Sequence, residues 1–297
     1  MYRTLLLPAL LVAAALPAAA QNRSATESDI DSTFAFDRRG TVSLSAGNGD
    51  IVVTAWDRPQ IRVRARSERG VIRMDATSTR LSLDLSRAHG GNTRFEVTVP
   101  VGARVSARAT AGDVSVSGTR GIVEASTQSG DLTVEDAAEI IELRTYSGDL
   151  VARNLAGNVE VNTLNGDMEI TGVQGDVEVT SVSGDIELRD VVARYVRAKS
   201  TSGDVTFDGS VHGTGRYELG SHSGDIYLVV PQNTGALLSV STYNGSIESD
   251  FPITLKPGEH GMGSTRRFSF DIGQGDARIS AESFSGDITI RSRTSNR

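Results

Sequence analysis

Ser147-Gly148-Asp149-Leu150, Asn165-Gly166-Asp167-Met168 and Ser183-Gly184-Asp185-Ile186 repeat one short string at an even step. The same string of small residue, Gly, Asp and aliphatic residue lies upstream at Asn48-Gly49-Asp50-Ile51, Ala111-Gly112-Asp113-Val114 and Ser129-Gly130-Asp131-Leu132. Downstream it returns at Ser202-Gly203-Asp204-Val205, Ser223-Gly224-Asp225-Ile226 and Ser285-Gly286-Asp287-Ile288, with a variant at Asn244-Gly245-Ser246-Ile247. From Asp113 to Asp185 the step is constant, and it lengthens slightly to Asp204 and again to Asp225. Gly157-Asn158 and Gly175-Asp176 fall midway between their neighbours, so the unit has two related halves. A fixed period of this kind is the signature of a repeat architecture.

Each half reads as a strand. Val159-Glu160-Val161-Asn162-Thr163 and Met168-Glu169-Ile170 alternate apolar and polar residues between Gly, Asp and Asn, the pattern of half-buried strands joined by turns. Gly supplies the positive φ a corner needs, and Asp or Asn hydrogen-bonds local backbone there. Aligning the units on Gly-Asp gives inward columns: Val123, Ile141, Val159, Val177 and Val196, then Ala125, Leu143, Val161, Val179 and Ala198. Thr127, Thr145, Thr163, Ser181 and Ser200 form a hydroxyl ladder beside the corner. One coil buries only about four aliphatic side chains, too few to offset the entropy of ordering it. The coils must therefore stack on one another. The expected fold is all-β, a single-stranded parallel β-solenoid (β-helix) with coils of about 18 residues. A β-sandwich of a dozen strands is the rival, and the constant in-register spacing disfavours it.

Arg3, the apolar run 5–16 and the small residues Ala18-Ala19-Ala20 have the three-part layout of a secretory signal peptide cleaved after Ala20. The alternative is a retained anchor, for which the run is short of the roughly 20 residues that span a bilayer. The expected organisation is a signal peptide at 1–20, a linker and first strand at 21–40, repeats at 41–290 with an insertion at 250–274, and a disordered basic tail at 291–297. A periplasmic or secreted location follows from that leader. The absence of Cys excludes disulfides, thiolate metal sites and a cysteine nucleophile. With 30 Lys and Arg against 37 Asp and Glu, a globally basic nucleic-acid binder is excluded as well.

The repeats, with the lead-in Phe95-Glu96-Val97-Thr98-Val99-Pro100-Val101-Gly102, resemble the bacterial "putative adhesin" family of β-strand-repeat proteins over about residues 41–290. The resemblance implies an exported or envelope protein and brings no catalytic residues with it.

Three sets of residues carry the candidate chemistry. The corner pairs Gly112-Asp113, Gly130-Asp131, Gly148-Asp149, Gly166-Asp167, Gly184-Asp185, Gly203-Asp204, Gly224-Asp225 and Gly286-Asp287 would stack their acids about 4.8 Å apart. Repulsion at that distance is roughly 1 kcal/mol in water, so corner N–H groups, hydroxyls or cations must offset it. Turn-stabilising Asp is the favoured role and calcium the alternative, since the double Gly of calcium-binding nonapeptide rolls is missing. Residues 58–120 carry 12 Arg against 5 acids, whereas 121–190 carry 3 Arg against 15 acids. Within the basic block Arg62, Arg64 and Arg66 share an outward face, a candidate surface for an anionic envelope polymer or an envelope protein. Tyr146, Leu164 and Val182 occupy one outward position on successive coils, followed by Thr201, His222 and Tyr243, making an apolar stripe. His212 and His222 could adjoin on successive coils, without a triad or metal-ligand spacing to accompany them. No cofactor, metal or catalytic residue is expected. The function read from the sequence is a non-enzymatic binding or scaffold module, with a polysaccharide-active β-helix enzyme as the alternative.

Overall fold

In the computed structural model, residues 28–86, 92–252 and 266–293 are described. The expected leader at 1–20, His89 and His260 lie outside them. The described chain is all-β: 23 strands and no helix. Among these residues no helix is long and apolar enough to cross a membrane.

Parallel ladders in register build the middle of the molecule. Val123–Ser129 pairs on one side with Arg104–Ala111 and on the other with Ala138–Ser147. The series continues through Leu150–Asn165, Val177–Ser183, Ile186–Ser202 and Val205–Ser223. Val123 faces Ile141, which faces Val159, which faces Val177, then Val196. A second ladder runs through Leu132, Leu150, Met168, Ile186, Val205 and Ile226. Residues of both inward columns are buried. Because strand side chains alternate, each buried residue leaves its neighbour outside.

The coils turn at three corners. The first is Gly-Asp, with φ between +129° and +159° at Gly112, Gly130, Gly148, Gly166, Gly184, Gly203, Gly224 and Gly286. The second carries no recurring string: Gly118, Asp136, Asn154, Gly172 and Asp190 sit at φ 75°, 53°, 55°, 72° and 52°, each one coil beyond the last. Gly, Asn and Asp are the residues that tolerate the left-handed region. The third uses Glu139, Gly157 and Gly175. The longer step to Asp225 comes from the register shift between Ala193 and Tyr195, opposite which the chain runs from Val211 to Arg216. Tyr217 holds the resulting bulge: its hydroxyl donates to the Ala193 carbonyl at 2.7 Å and accepts from the His212 N–H at 2.8 Å. Burial pushes this phenol's pKa up.

Both ends correct the expectation of a purely parallel stack in sequence order. Thr41–Asn48 lies between Arg80–Ser86 and Arg104–Ala111. Ala277–Ser285, the last repeat, is inserted between Val205–Ser223 and Ala236–Asn244. Outside these ladders run antiparallel strands. Gln60–Ser67 pairs with Thr93–Pro100 and carries Ser28–Ala35 on its other edge. Val71–Ala76 lies on Arg80–Ser86, and Arg266–Ile272, from the expected insertion, lies on Ala236–Asn244. Covering a terminal edge in this way saturates backbone groups that would otherwise template aggregation. Arg291 and Arg293 also depart from the expected tail. They belong to the strand Ile288–Arg293, where Arg291 pairs with Asp250 at 3.0 Å and Arg293 with Asp208 at 2.7 Å.

Candidate functional site

The corner carboxylates form a chain of backbone acceptors. Asp113 Oδ1 accepts the Asp131 N–H at 2.9 Å, Asp131 that of Asp149 at 3.0 Å, and Asp149 that of Asp167 at 3.0 Å. Asp167, Asp185, Asp204 and Asp225 continue it, at 2.7–2.9 Å, as far as Asp287. Asp225 accepts the Asp287 N–H and Asp287 accepts the Ser246 N–H, so the chain of bonds follows the spatial stacking and not the sequence. Each bond brings an N–H dipole to a carboxylate, which offsets the repulsion between neighbours. Beside the corner, Thr127, Ser200, Ser221, Ser283 and Thr242 donate their hydroxyls to the Gly carbonyl of the adjoining coil.

Among the described residues no group of three or more His, Cys, Asp or Glu side chains is arranged to hold a metal ion. With its acids engaged by backbone, the protein is expected to keep its β-type circular dichroism and melting temperature in excess EDTA. A loss of either that calcium restores would assign the column to cation binding.

Two acids tie the far end together. Asp287 is held below the usual carboxylate range by the Ser246 N–H and hydroxyl, and Asp250 by the Ser292 N–H and the Arg291 guanidinium. A carboxylate depressed in the folded state stabilises fully above its unfolded value and loses that contribution as pH falls through the folded one. Amide protection factors in Ala236–Asn244 should therefore fall below about pH 4 before those in Leu150–Asn165. A uniform loss along the chain would refute this.

Arg62, Arg64 and Arg66 point outward from Gln60–Ser67, and the antiparallel neighbours bring acids to them. Arg62 and Arg64 lie 3.4 and 3.6 Å from Asp31, Arg66 lies 3.4 Å from Asp29, and Arg64 reaches Glu96 at 4.0 Å. The cluster is thus substantially neutralised by the strand that covers it. Glu124, Glu142, Glu160 and Glu178, which face one another on successive strands, are likewise paired, with Arg108, Arg144 and Arg197.

The apolar stripe is outward, and beyond Thr201 the same row holds a feature the sequence reading missed. Tyr146, Leu164 and Val182 are 60%, 42% and 43% exposed. At the far end of the same row stand His222, Phe284 and Tyr243, because the last repeat is intercalated between the coils of the other two. Phe284 stacks on His222 at 4.8 Å and on Tyr243 at 5.0 Å, with interplanar angles of 13° and 3°. Ser283-Phe284-Ser285-Gly286-Asp287 carries the signal, but its place in the row depends on the order of coils in space. The row borders a groove of about 780 Å3. Small residues, Gly220, Ser239, Ser241 and Ser280, line it together with Arg216 and Arg278. His212 lies in a different depression, with Asp176 and Arg194, so the two histidines do not form one site.

These features define an all-β repeat protein whose regular acids serve its own backbone. The sequence matches the Toastrack DUF4097 family over residues 88–291, and the chain belongs to that family. No curated protein matches it. Among solved structures, it is similar to a "putative adhesin" from Bacteroides fragilis NCTC 9343, at 12% identity and a TM-score of 0.42, covering 89% of this chain and 97% of that one. It is also similar to a "putative lipid binding protein" from Parabacteroides distasonis ATCC 8503, at 8% identity and a TM-score of 0.42, covering 90% and 98%. A "putative cell adhesion protein" from Clostridium sporogenes ATCC 15579 matches at 9% identity and a TM-score of 0.23, covering 90% and 100%.

Proposed function

We propose that the protein is an exported, non-enzymatic binding module of the cell envelope, a parallel β-solenoid that presents one outward row of apolar and aromatic side chains. The observation that carries this reading is that row, from Tyr146 through Leu164 and Val182 to His222, Phe284 and Tyr243. Exposed strand positions are ordinarily polar, and contiguous apolar ones mark interaction surfaces. The corner acids, which would be the natural catalytic carboxylates of a polysaccharide-active β-helix, are instead engaged as backbone acceptors. Partners expected on this reading are an anionic envelope polymer or an envelope protein.

The test is retention of the leader-free chain on sedimented envelope material. Tyr146→Ser/Leu164→Ser/Val182→Thr, which keeps the exposed positions compatible with strand, should release it. Arg62→Gln/Arg64→Gln/Arg66→Gln should not, because these guanidinium groups already face Asp29, Asp31 and Glu96. Reversal of the three to Glu would be uninformative about docking, since it would crowd six carboxylates and loosen Ser28–Ala35. Undiminished retention of the stripe variant would refute the apolar row. Loss of retention in the Gln variant would move the site to the basic face. Release of reducing ends from envelope polysaccharide would assign an enzyme instead.

A further inference from the structure

We infer that the groove beside His222, Phe284 and Tyr243 is a binding site for an acidic glycan chain, the particular ligand class of the binding module proposed above and resting on that reading. The strand registers lay out the outward side chains as a grid. One row is Thr201, His222, Phe284 and Tyr243, and the next is Lys199, Gly220, Glu282 and Ser241. A third row is Arg197, Glu218, Ser280 and Ser239, and a fourth Tyr195, Arg216, Arg278 and Leu237. An aromatic ridge therefore stands on one side and an arginine pair on the other. Between them is a floor of Gly and Ser with two glutamates.

Each part matches a part of an acidic sugar. A pyranose ring has an apolar C–H surface, which the aromatic ridge can contact. Its hydroxyls need both donors and acceptors, which Ser239, Ser241, Ser280, Glu218 and Glu282 offer on one surface. Arg216 is already paired with Glu218 at 2.7 Å. Lys199 and Arg278 also line the groove and make no ion pair among the described residues. Lys199, Arg216 and Arg278 outnumber Glu218 and Glu282 in the lining, which favours an anionic occupant, and a carboxylate suits the planar guanidinium fork of Arg278. An acyl chain is a poor match for a floor of hydroxyls, since burying them against hydrocarbon costs free energy without a compensating bond. Geometry favours a polymer. Successive strands are about 4.8 Å apart, a distance comparable to the advance of one sugar, so a chain crossing the strands meets an equivalent position at each step.

The experiment uses the leader-free chain with polygalacturonate, neutral dextran and polyacrylate as probes, read by affinity electrophoresis. Polygalacturonate should bind, and dextran should bind at least about tenfold more weakly, a difference of about 1.4 kcal/mol. Lys199→Gln/Arg278→Gln should weaken polygalacturonate binding about tenfold or more, and so should Phe284→Thr, which removes the ring but keeps a strand-compatible residue. Unchanged circular dichroism in each variant confirms that the fold is retained. Polyacrylate binding that equals polygalacturonate binding and ignores Phe284→Thr would overturn the glycan assignment in favour of simple charge. Equal polygalacturonate binding by the variants and the parent would overturn the site. Absence of polygalacturonate binding with envelope retention intact would reject the acidic-glycan groove and leave the proposed function standing. Loss of both would reject the two together. Cleavage of polygalacturonate abolished by Glu218→Gln or Glu282→Gln would overturn the purely binding role.

Discussion

Val161→Asp is expected to unfold or severely destabilise the centre of the stack. Val161 is fully buried, with Leu143 on one neighbouring coil and Val179 on the other. No polar partner awaits a carboxyl among these aliphatic columns. An unpaired charge in such a place costs several kcal/mol, or the group protonates and still leaves polar atoms without bonds. Because coils contact chiefly their neighbours, a defect at the centre weakens two interfaces at once. Asn162→Asp on the adjacent outward position is the control. Its side chain donates to Glu160 at 3.0 Å, and Arg144 lies 3.5 Å from the same glutamate. The lost bond and added charge should cost no more than about 1 kcal/mol. Equal urea midpoints for the two variants would refute the assignment of inner and outer faces.

That contrast could be framed from the sequence because period-two alternation and the constant step place Val161 and Asn162 on opposite sides without coordinates. The Gly-Asp corners were legible for the same reason, since each repeats a backbone requirement that few residues meet. The second corner was not. Gly118, Asp136, Asn154, Gly172 and Asp190 share a left-handed conformation, but their side chains vary, so no string recurs. The order of coils was illegible for a deeper reason. Every Gly-Asp corner has the same docking chemistry, and a pattern common to all coils cannot say which one lies beside which. Phe284 was consequently left out of the row, in which it lies between His222 and Tyr243. The antiparallel strands at both ends were hidden in the same way. Arg62, Arg64 and Arg66 read as a free basic face because Asp29 and Asp31, far upstream in the chain, reach them only through strand pairing. The groove shares this dependence on order, since it is lined by four strands whose order in space differs from their order in sequence.

Gly166→Ala should be nearly as damaging as a charge in the core, although it adds one methyl at the surface. Gly166 has φ +129°, a region that residues with a Cβ rarely enter. A Cβ there would stand 2.1 Å from the Gly148 carbonyl oxygen and 2.7 Å from its carbon. Both atoms are backbone of the neighbouring coil, so no side chain can swing aside. Relief requires the coils to separate, and separation breaks the bond from the Gly148 N–H to Asn165 O at 3.2 Å and that from the Asp167 N–H to Asp149 Oδ1 at 3.0 Å. The conformational strain alone is on the order of 1–3 kcal/mol. With the lost hydrogen bonds, the total expected is about 3–5 kcal/mol. Gly213 provides the internal comparison. It has no heavy atom within 4 Å of an added Cβ and no positive φ that would penalise one. Gly213→Ala should therefore shift the midpoint by less than about 1 kcal/mol, and in the stabilising direction if the unfolded chain loses freedom. The two substitutions are chemically identical, so side-chain polarity, size and charge cancel between them. A difference in denaturation midpoint measures the close approach of one coil to the next, and equal midpoints would mean that the corners do not set the spacing of the stack.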